Sequence, residues 1–105
     1  MATNRVDILK QLVGQDPANS FARYGLAMEY ANSGDLKQAV LEFQALIAKD
    51  ENYCAAYYHG GQAFEKLGLL DEARGFYEKG IAATRRAGDA HTRSEIEAAL
   101  SLLPI

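Results

Sequence analysis

The chain has one cysteine among its 105 residues. A single thiol cannot close an internal disulfide, so a disulfide-stapled secreted scaffold is excluded and the expected location is the reducing cytoplasm. Only two prolines are present, and runs of valine, isoleucine and threonine that would form strands are missing. No apolar run reaches the roughly 18 residues that a membrane span requires. The opening Met-Ala-Thr-Asn-Arg-Val-Asp lacks the apolar core of a secretory signal. Charge of one sign is also scarce. Residues 1–52 hold five basic and seven acidic groups, a net −2, and residues 53–105 hold six and seven, a net −1, which together make the −3 of the whole chain. Without a basic face, nucleic acid is not an expected partner. The densest basic cluster, Arg85-Arg86 with Arg93, reads as cations favoured at a helix C-terminus. Linkers and low-complexity tracts are absent too, which leaves one small domain. Its hydrophobic content of 49% is ample for a core that buries roughly two thirds of the unfolded surface.

What is present is a repeat. Gly34 and Gly68 lie 34 residues apart, and the same shift aligns Ala22 with Ala56, Tyr24 with Tyr58, Leu36 with Leu70, Ala39 with Ala73, Ile47 with Ile81 and Ala48 with Ala82. Tyr30 falls on Phe64, Phe43 on Tyr77 and Asp16 on Asp50. A period of this length belongs to stacked helix–turn–helix units.

Each unit divides at its glycine. Ala22, Leu26, Ala27 and Tyr30 recur at three- and four-residue steps, as does the set Leu36, Ala39, Val40, Phe43, Leu46 and Ile47. Both are apolar stripes of amphipathic helices. Gly34 ends the first helix in the left-handed conformation, and Asp35 is placed to cap the second. The second unit carries Ala56, Tyr57, Gly60, Gly61 and Phe64 before Gly68, then Leu70, Ala73, Phe76, Tyr77, Gly80 and Ile81, with Asp71 the expected cap. A short turn leaves paired helices antiparallel. Val6, Leu9, Leu12 and Val13 predict an N-terminal helix over 3–14, and Ile96, Ala99, Leu100 and Leu103 predict a capping helix over 89–103. For the latter, Thr92 to Glu95 fits a capping box, with Asp89 a rival one turn earlier. The expected fold is all-α, about six helices, with units over 20–53 and 54–87.

Catalytic and metal chemistry find little purchase in these residues. Cys54 needs a neighbouring base and a setting that lowers its pKa. His59, five residues on, lies well round the helix from it. His59 and His91 sit in different helices with no ligand partner at metal spacing. Asp50-Glu51 and Asp71-Glu72 stand at helix boundaries, where the dipole favours acids. Gly60-Gly61 is followed by no Lys-Ser or Lys-Thr and lies within a helix, so it is no phosphate loop. No catalytic residue, metal or cofactor is expected.

Leu26-Ala27, Tyr30, Gly34-Asp35, Ala39, Phe43 and Asp50 in the first unit, with Tyr57, Gly61, Phe64, Gly68, Ala73 and Tyr77 in the second, resemble the tetratricopeptide repeat pattern over residues 16–87. Asp16-Pro17 resembles the closing pair of a truncated earlier repeat. Arg23, Gly60, Leu46 and Gly80 depart from the pattern, and the closing proline is replaced by Glu51 and Arg85. At Glu51 another residue must hold the turn. At Arg85 the helix is expected to run on towards Gly88.

The resemblance implies antiparallel hairpins stacked as a short right-handed α-solenoid, acting as a non-enzymatic protein–protein interaction module. It also implies which positions line the concave groove: Phe21, Tyr24, Gly25, Met28, Ala31 and Asn32 in the first unit, and Ala55, Tyr58, His59, Gln62, Glu65 and Lys66 in the second. The candidate partner-binding residues are therefore Phe21, Tyr24, Met28, Asn32, Tyr58, His59, Gln62 and Lys66. Tyrosine suits such a role, giving large contact area at small rotamer entropy. The family's carboxylate clamp would fall on Tyr24, Met28, Asn32, Gln62 and Lys66, of which only Asn32 and Lys66 could serve, so that clamp is not expected. The expected partner is a protein or peptide, with neither nucleic acid nor membrane. Self-association into a homo-oligomer, with exposed apolar ends or the groove pairing with another copy, is the alternative. Separately, the aromatic stripe can be core, covered by the N-terminal helix or a symmetry mate, rather than an open groove. An enzyme built on Cys54 or His59 is the weaker third reading.

Overall fold

The backbone turns wherever the repeat glycines stand. Among the described residues, Gly34, Gly68 and Gly88 are those with positive φ, at 87°, 77° and 69°. At the first, the Gly34 N–H donates to the Ala31 carbonyl and the Asp35 N–H to the Tyr30 carbonyl. Gly68 and Leu69, then Gly88 and Asp89, repeat this pair of bonds. The pattern is the Schellman motif, which requires a left-handed residue that only glycine supplies without strain.

Between these stops run six helices, in a computed structural model that describes residues 4–104. They are α1 (Arg5–Gln15), α2 (Ser20–Asn32), α3 (Leu36–Lys49), α4 (Cys54–Lys66), α5 (Leu70–Ala87) and α6 (Ala90–Leu102). Among the described residues there is no strand. Consecutive helices pack on each other, and α4 additionally touches α2 and α6. The result is an elongated all-α repeat solenoid of 45 × 28 × 19 Å.

Several helix ends differ from the sequence expectations. The anticipated first helical residue, Thr3, lies outside the described residues. Asn4 caps α1 by accepting from the Asp7 N–H at 2.9 Å, and the helix continues one residue past Gly14. Asp35 caps α3 through Gln38, as expected. Asp71 does not cap α5. Leu69 occupies that position without a side-chain bond, and Asp71 sits inside the first turn, where its charge faces the positive helix end. For α6, Asp89 prevails over Thr92, and the Thr92 N–H donates to the Asp89 carboxylate at 3.0 Å. The expected long fifth helix is present, spanning 18 residues to Gly88.

Glu51 stands where the repeat pattern has proline, and its carbonyl is held from two sides. The Tyr57 hydroxyl donates to it at 2.7 Å, and Arg86 reaches back from α5 at 3.4 Å while also donating to Asn52 Oδ1. Arg23, in place of an aromatic, crosses to Glu42 on α3 at 2.8 Å and ties the first hairpin together with a half-buried ion pair.

The core follows the stripes. Phe43, Ala39, Tyr77, Ala56, Ala73 and Ile96 are fully enclosed. Gly60 and Gly61 let α4 lie directly on the rings of Phe76 and Tyr77, and Gly80 lets α5 approach Tyr57 and Ile96.

Candidate concave binding face

Because α2, α4 and α6 are the alternate helices of the stack, their free sides share one face. A hollow of about 220 Å³ lies between α2 and α4, lined by Met28, Ala31, Asn32, Leu36, His59, Gln62, Ala63 and Lys66. A second, of about 420 Å³, lies between α4 and α6, lined by Tyr58, Gln62, Glu65, Glu95, Ala98, Ala99 and Leu102. Gln62 borders both, so the two hollows adjoin on this face.

Five of the eight residues nominated from sequence therefore meet in the first hollow: Met28, Asn32, His59, Gln62 and Lys66. Tyr58 borders the second. Tyr24 lies alongside, its ring centroid 5.2 Å from Tyr53, 6.0 Å from His59 and 6.4 Å from Phe43. His59 in turn meets Tyr58 at 5.1 Å, so three rings run along the face in the order Tyr24, His59, Tyr58. Phe21 is different. It is 79% exposed and lines neither hollow. No residue of the N-terminal helix lines either hollow, although its Leu9 packs against Gly25, one of the positions that the resemblance places on this face of α2.

Glu95, Ala98, Ala99 and Leu102 were not nominated. The signal for them was present but out of phase. Because α5 runs on past the repeat length, α6 begins 36 residues after α4 rather than 34 (Ala90 against Cys54). A shift of 36 carries His59, Gln62, Ala63 and Lys66 onto those four residues. The terminal helix thus continues the concave surface as well as capping the core.

Burial sets the electrostatics of the rings. It raises the Tyr24 phenol, with Tyr53 adding to the shift. It raises Tyr77 strongly, aided by the hydrogen bond from its hydroxyl to Glu65. It lowers His59, against an opposing pull from Glu95. For His59 the sign follows from linkage. A base whose folded pKa lies below its ordinary value near 6.5 binds fewer protons when folded. Its stability contribution is therefore complete above that value and is lost as pH falls through the folded pKa. Urea titrations at about pH 7 and pH 5.5 should show a loss of stability in acid that His59→Gln reduces. Equal losses in both proteins would mean that His59 is not desolvated.

Cys54 is buried and its Sγ lies 3.4 Å from the Asn52 carbonyl. Burial, then Asp89, push the thiol up, away from the thiolate that nucleophilic chemistry requires. Among the described residues, no three His, Cys, Asp or Glu side chains converge as a metal site, and no helix is long and apolar enough to cross a membrane.

No family model matches the chain. A TPR repeat-containing protein of Pseudomonas aeruginosa is 28% identical over 91 residues, covering 87% of both chains. The solution structure of a tetratricopeptide repeat domain protein from Salinibacter ruber superposes with a TM-score of 0.76 at 34% identity, over 82% of this chain and 87% of that one. A protein from Bordetella parapertussis shares the fold, with a TM-score of 0.82 at 24% identity over 97% of this chain and 89% of that one. Tetratricopeptide repeat proteins are generally non-enzymatic scaffolds that bind protein partners. With 34% identity to a tetratricopeptide repeat domain over most of both chains, the chain belongs to the tetratricopeptide repeat family.

Proposed function

We propose that this chain is a non-enzymatic interaction module that holds a peptide or helix of a partner protein along the groove of α2, α4 and α6. The observation that carries this reading is the pair of hollows that adjoin at Gln62, beside the ring row of Tyr24, His59 and Tyr58. Such a surface offers aromatic area with polar atoms at its rim, the composition of interface centres. Its test begins with peptides selected on the wild-type protein from a random dodecapeptide library. Tyr58→Ala should weaken their binding by about 1–2 kcal/mol, as an aromatic anchor does, while the thermal melt shifts by no more than about 1 kcal/mol in stability. Tyr24→Ala should be the more destabilising of the two, because its ring pairs with Tyr53 and Phe43 would be lost. Unchanged affinity in a folded Tyr58→Ala protein would remove the groove from the account.

The second reading is self-association, favoured by the outer face of α1. Ile8 and Leu12, one turn apart, are 45% and 42% exposed, and α1 buries no residue completely. If copies pair there, sedimentation should show a mass that rises with concentration, and Ile8→Glu with Leu12→Glu should abolish the rise without affecting peptide binding.

A further inference from the structure

We infer that the groove is polarised, and that the partner segment carries a lysine or arginine flanked by apolar residues, seated in the α4–α6 half. This rests on the groove being the binding face. The two hollows differ in charge although they share Gln62. In the α2–α4 half the lining carries one formal cation, Lys66, with the Asn32 amide and His59, and no carboxylate. The α4–α6 half reverses this: its lining carries two carboxylates, Glu65 and Glu95, and no cation. The remainder of that half is apolar or aromatic. It consists of Tyr58, Ala98, Ala99 and Leu102, the last 83% exposed.

The arrangement has the form of a receptor for a long basic side chain. Lysine and arginine lay their methylene stems along apolar surface and keep the charged tip free for a partner. Leu102 and the two alanines offer the surface, and the Tyr58 ring can take a cation against its face. The carboxylates come from different helices, so one guanidinium or ammonium placed between them would join α4 to α6. Glu65 is held in position, since Tyr77 donates to its Oε2, which leaves Oε1 for a ligand. Glu95 has the exposed His91 at 3.6 Å and also acts on His59 across the shared border of the hollows. A basic segment matches this end in charge, and an acidic one is repelled by both carboxylates. Such matching confers specificity and orientation.

The dodecapeptide selection tests the inference directly. Peptides enriched on the wild type should contain more Lys and Arg than Asp and Glu, with an aliphatic or aromatic residue beside the base. A synthetic peptide from that pool should bind Glu95→Gln about threefold more weakly and Glu95→Lys about tenfold more weakly, with unaltered thermal melts. Selection repeated on Glu95→Lys should lose the basic preference. Glu65 is left intact in these tests because it holds Tyr77. A pool without basic excess, or equal affinity for wild type and Glu95→Gln, overturns the inference. If those peptides still require Tyr58, the groove reading stands without it. If no peptide is enriched, both fall together.

Discussion

Phe43→Ala should lower the unfolding free energy by about 3–5 kcal/mol, the range for emptying a fully buried aromatic site. Phe43 is 0% exposed. It lies on α3, which packs against α2 on one side and α4 on the other. Its ring meets Tyr24 edge-on, and its Cβ borders the space above Gly60. No single element can collapse into the void without pulling away from another. A domain of this size has roughly 5–15 kcal/mol in all, so the variant should be near the edge of folding at physiological temperature. Units in a repeat array draw stability from their neighbours, so the loss should appear as one transition shifted to lower urea. A separate early melt of the first hairpin would contradict this. A change below about 1 kcal/mol would mean that Phe43 does not fill the core.

Gly61→Ala should also destabilise, against the usual trend for a glycine inside a helix. Alanine there would gain about 1 kcal/mol of helix propensity. Its methyl group, however, would stand 2.6 Å from Cδ1 and 2.7 Å from Cζ of Tyr77. That ring is 0% exposed and its hydroxyl is tied to Glu65, so it cannot swing aside. Overpacking of this kind costs about 1–3 kcal/mol and sometimes more, so with the buried ring fixed the net effect should be a loss of up to about 2 kcal/mol. Gly75→Ala provides the internal comparison. It lies within α5 with nothing within 4 Å of the added carbon, so there the propensity term stands alone and stability should rise by up to about 1 kcal/mol. Chemical denaturation of the two variants side by side checks both signs. A stabilised Gly61→Ala would show that α4 and α5 are not in close approach at this point.

These two sites mark how far the sequence could be read. Phe43 and Tyr77 were legible as core because they fall on each other under the 34-residue shift and on an apolar stripe. The turns were legible because a left-handed stop requires glycine, and glycine recurs in register. The cap of α5 was misread through a preference for acids. Leu69 is the residue that aligns with Asp35, and the repeat itself assigned it the position. Phe21 was placed in the groove by the repeat position that the resemblance implies, and its spacing to Tyr24 and Met28 put the three on one helix face. Spacing gives direction round a helix axis but does not show where the neighbouring helix ends, and at the start of α2 Phe21 is 79% exposed and lines neither hollow. The α2–α4 half of the face was readable from the groove positions that the repeat resemblance implies. The α4–α6 half was hidden, because the longer α5 changes the phase by two residues and moves Glu95, Ala98, Ala99 and Leu102 out of the 34-residue alignment.

The most direct test of the groove is an amide-resolved NMR titration of the wild-type protein with a peptide selected on it. The account predicts that shifts concentrate at Met28, Asn32, Tyr58, Gln62, Lys66, Glu95 and Leu102, along the one face shared by α2, α4 and α6. A third hollow, largely apolar, lies elsewhere, lined by Lys37, Val40, Leu41, Leu67 and Leu69. Shifts gathered there, or along Ile8 and Leu12 of α1, with the groove residues unmoved, would contradict it.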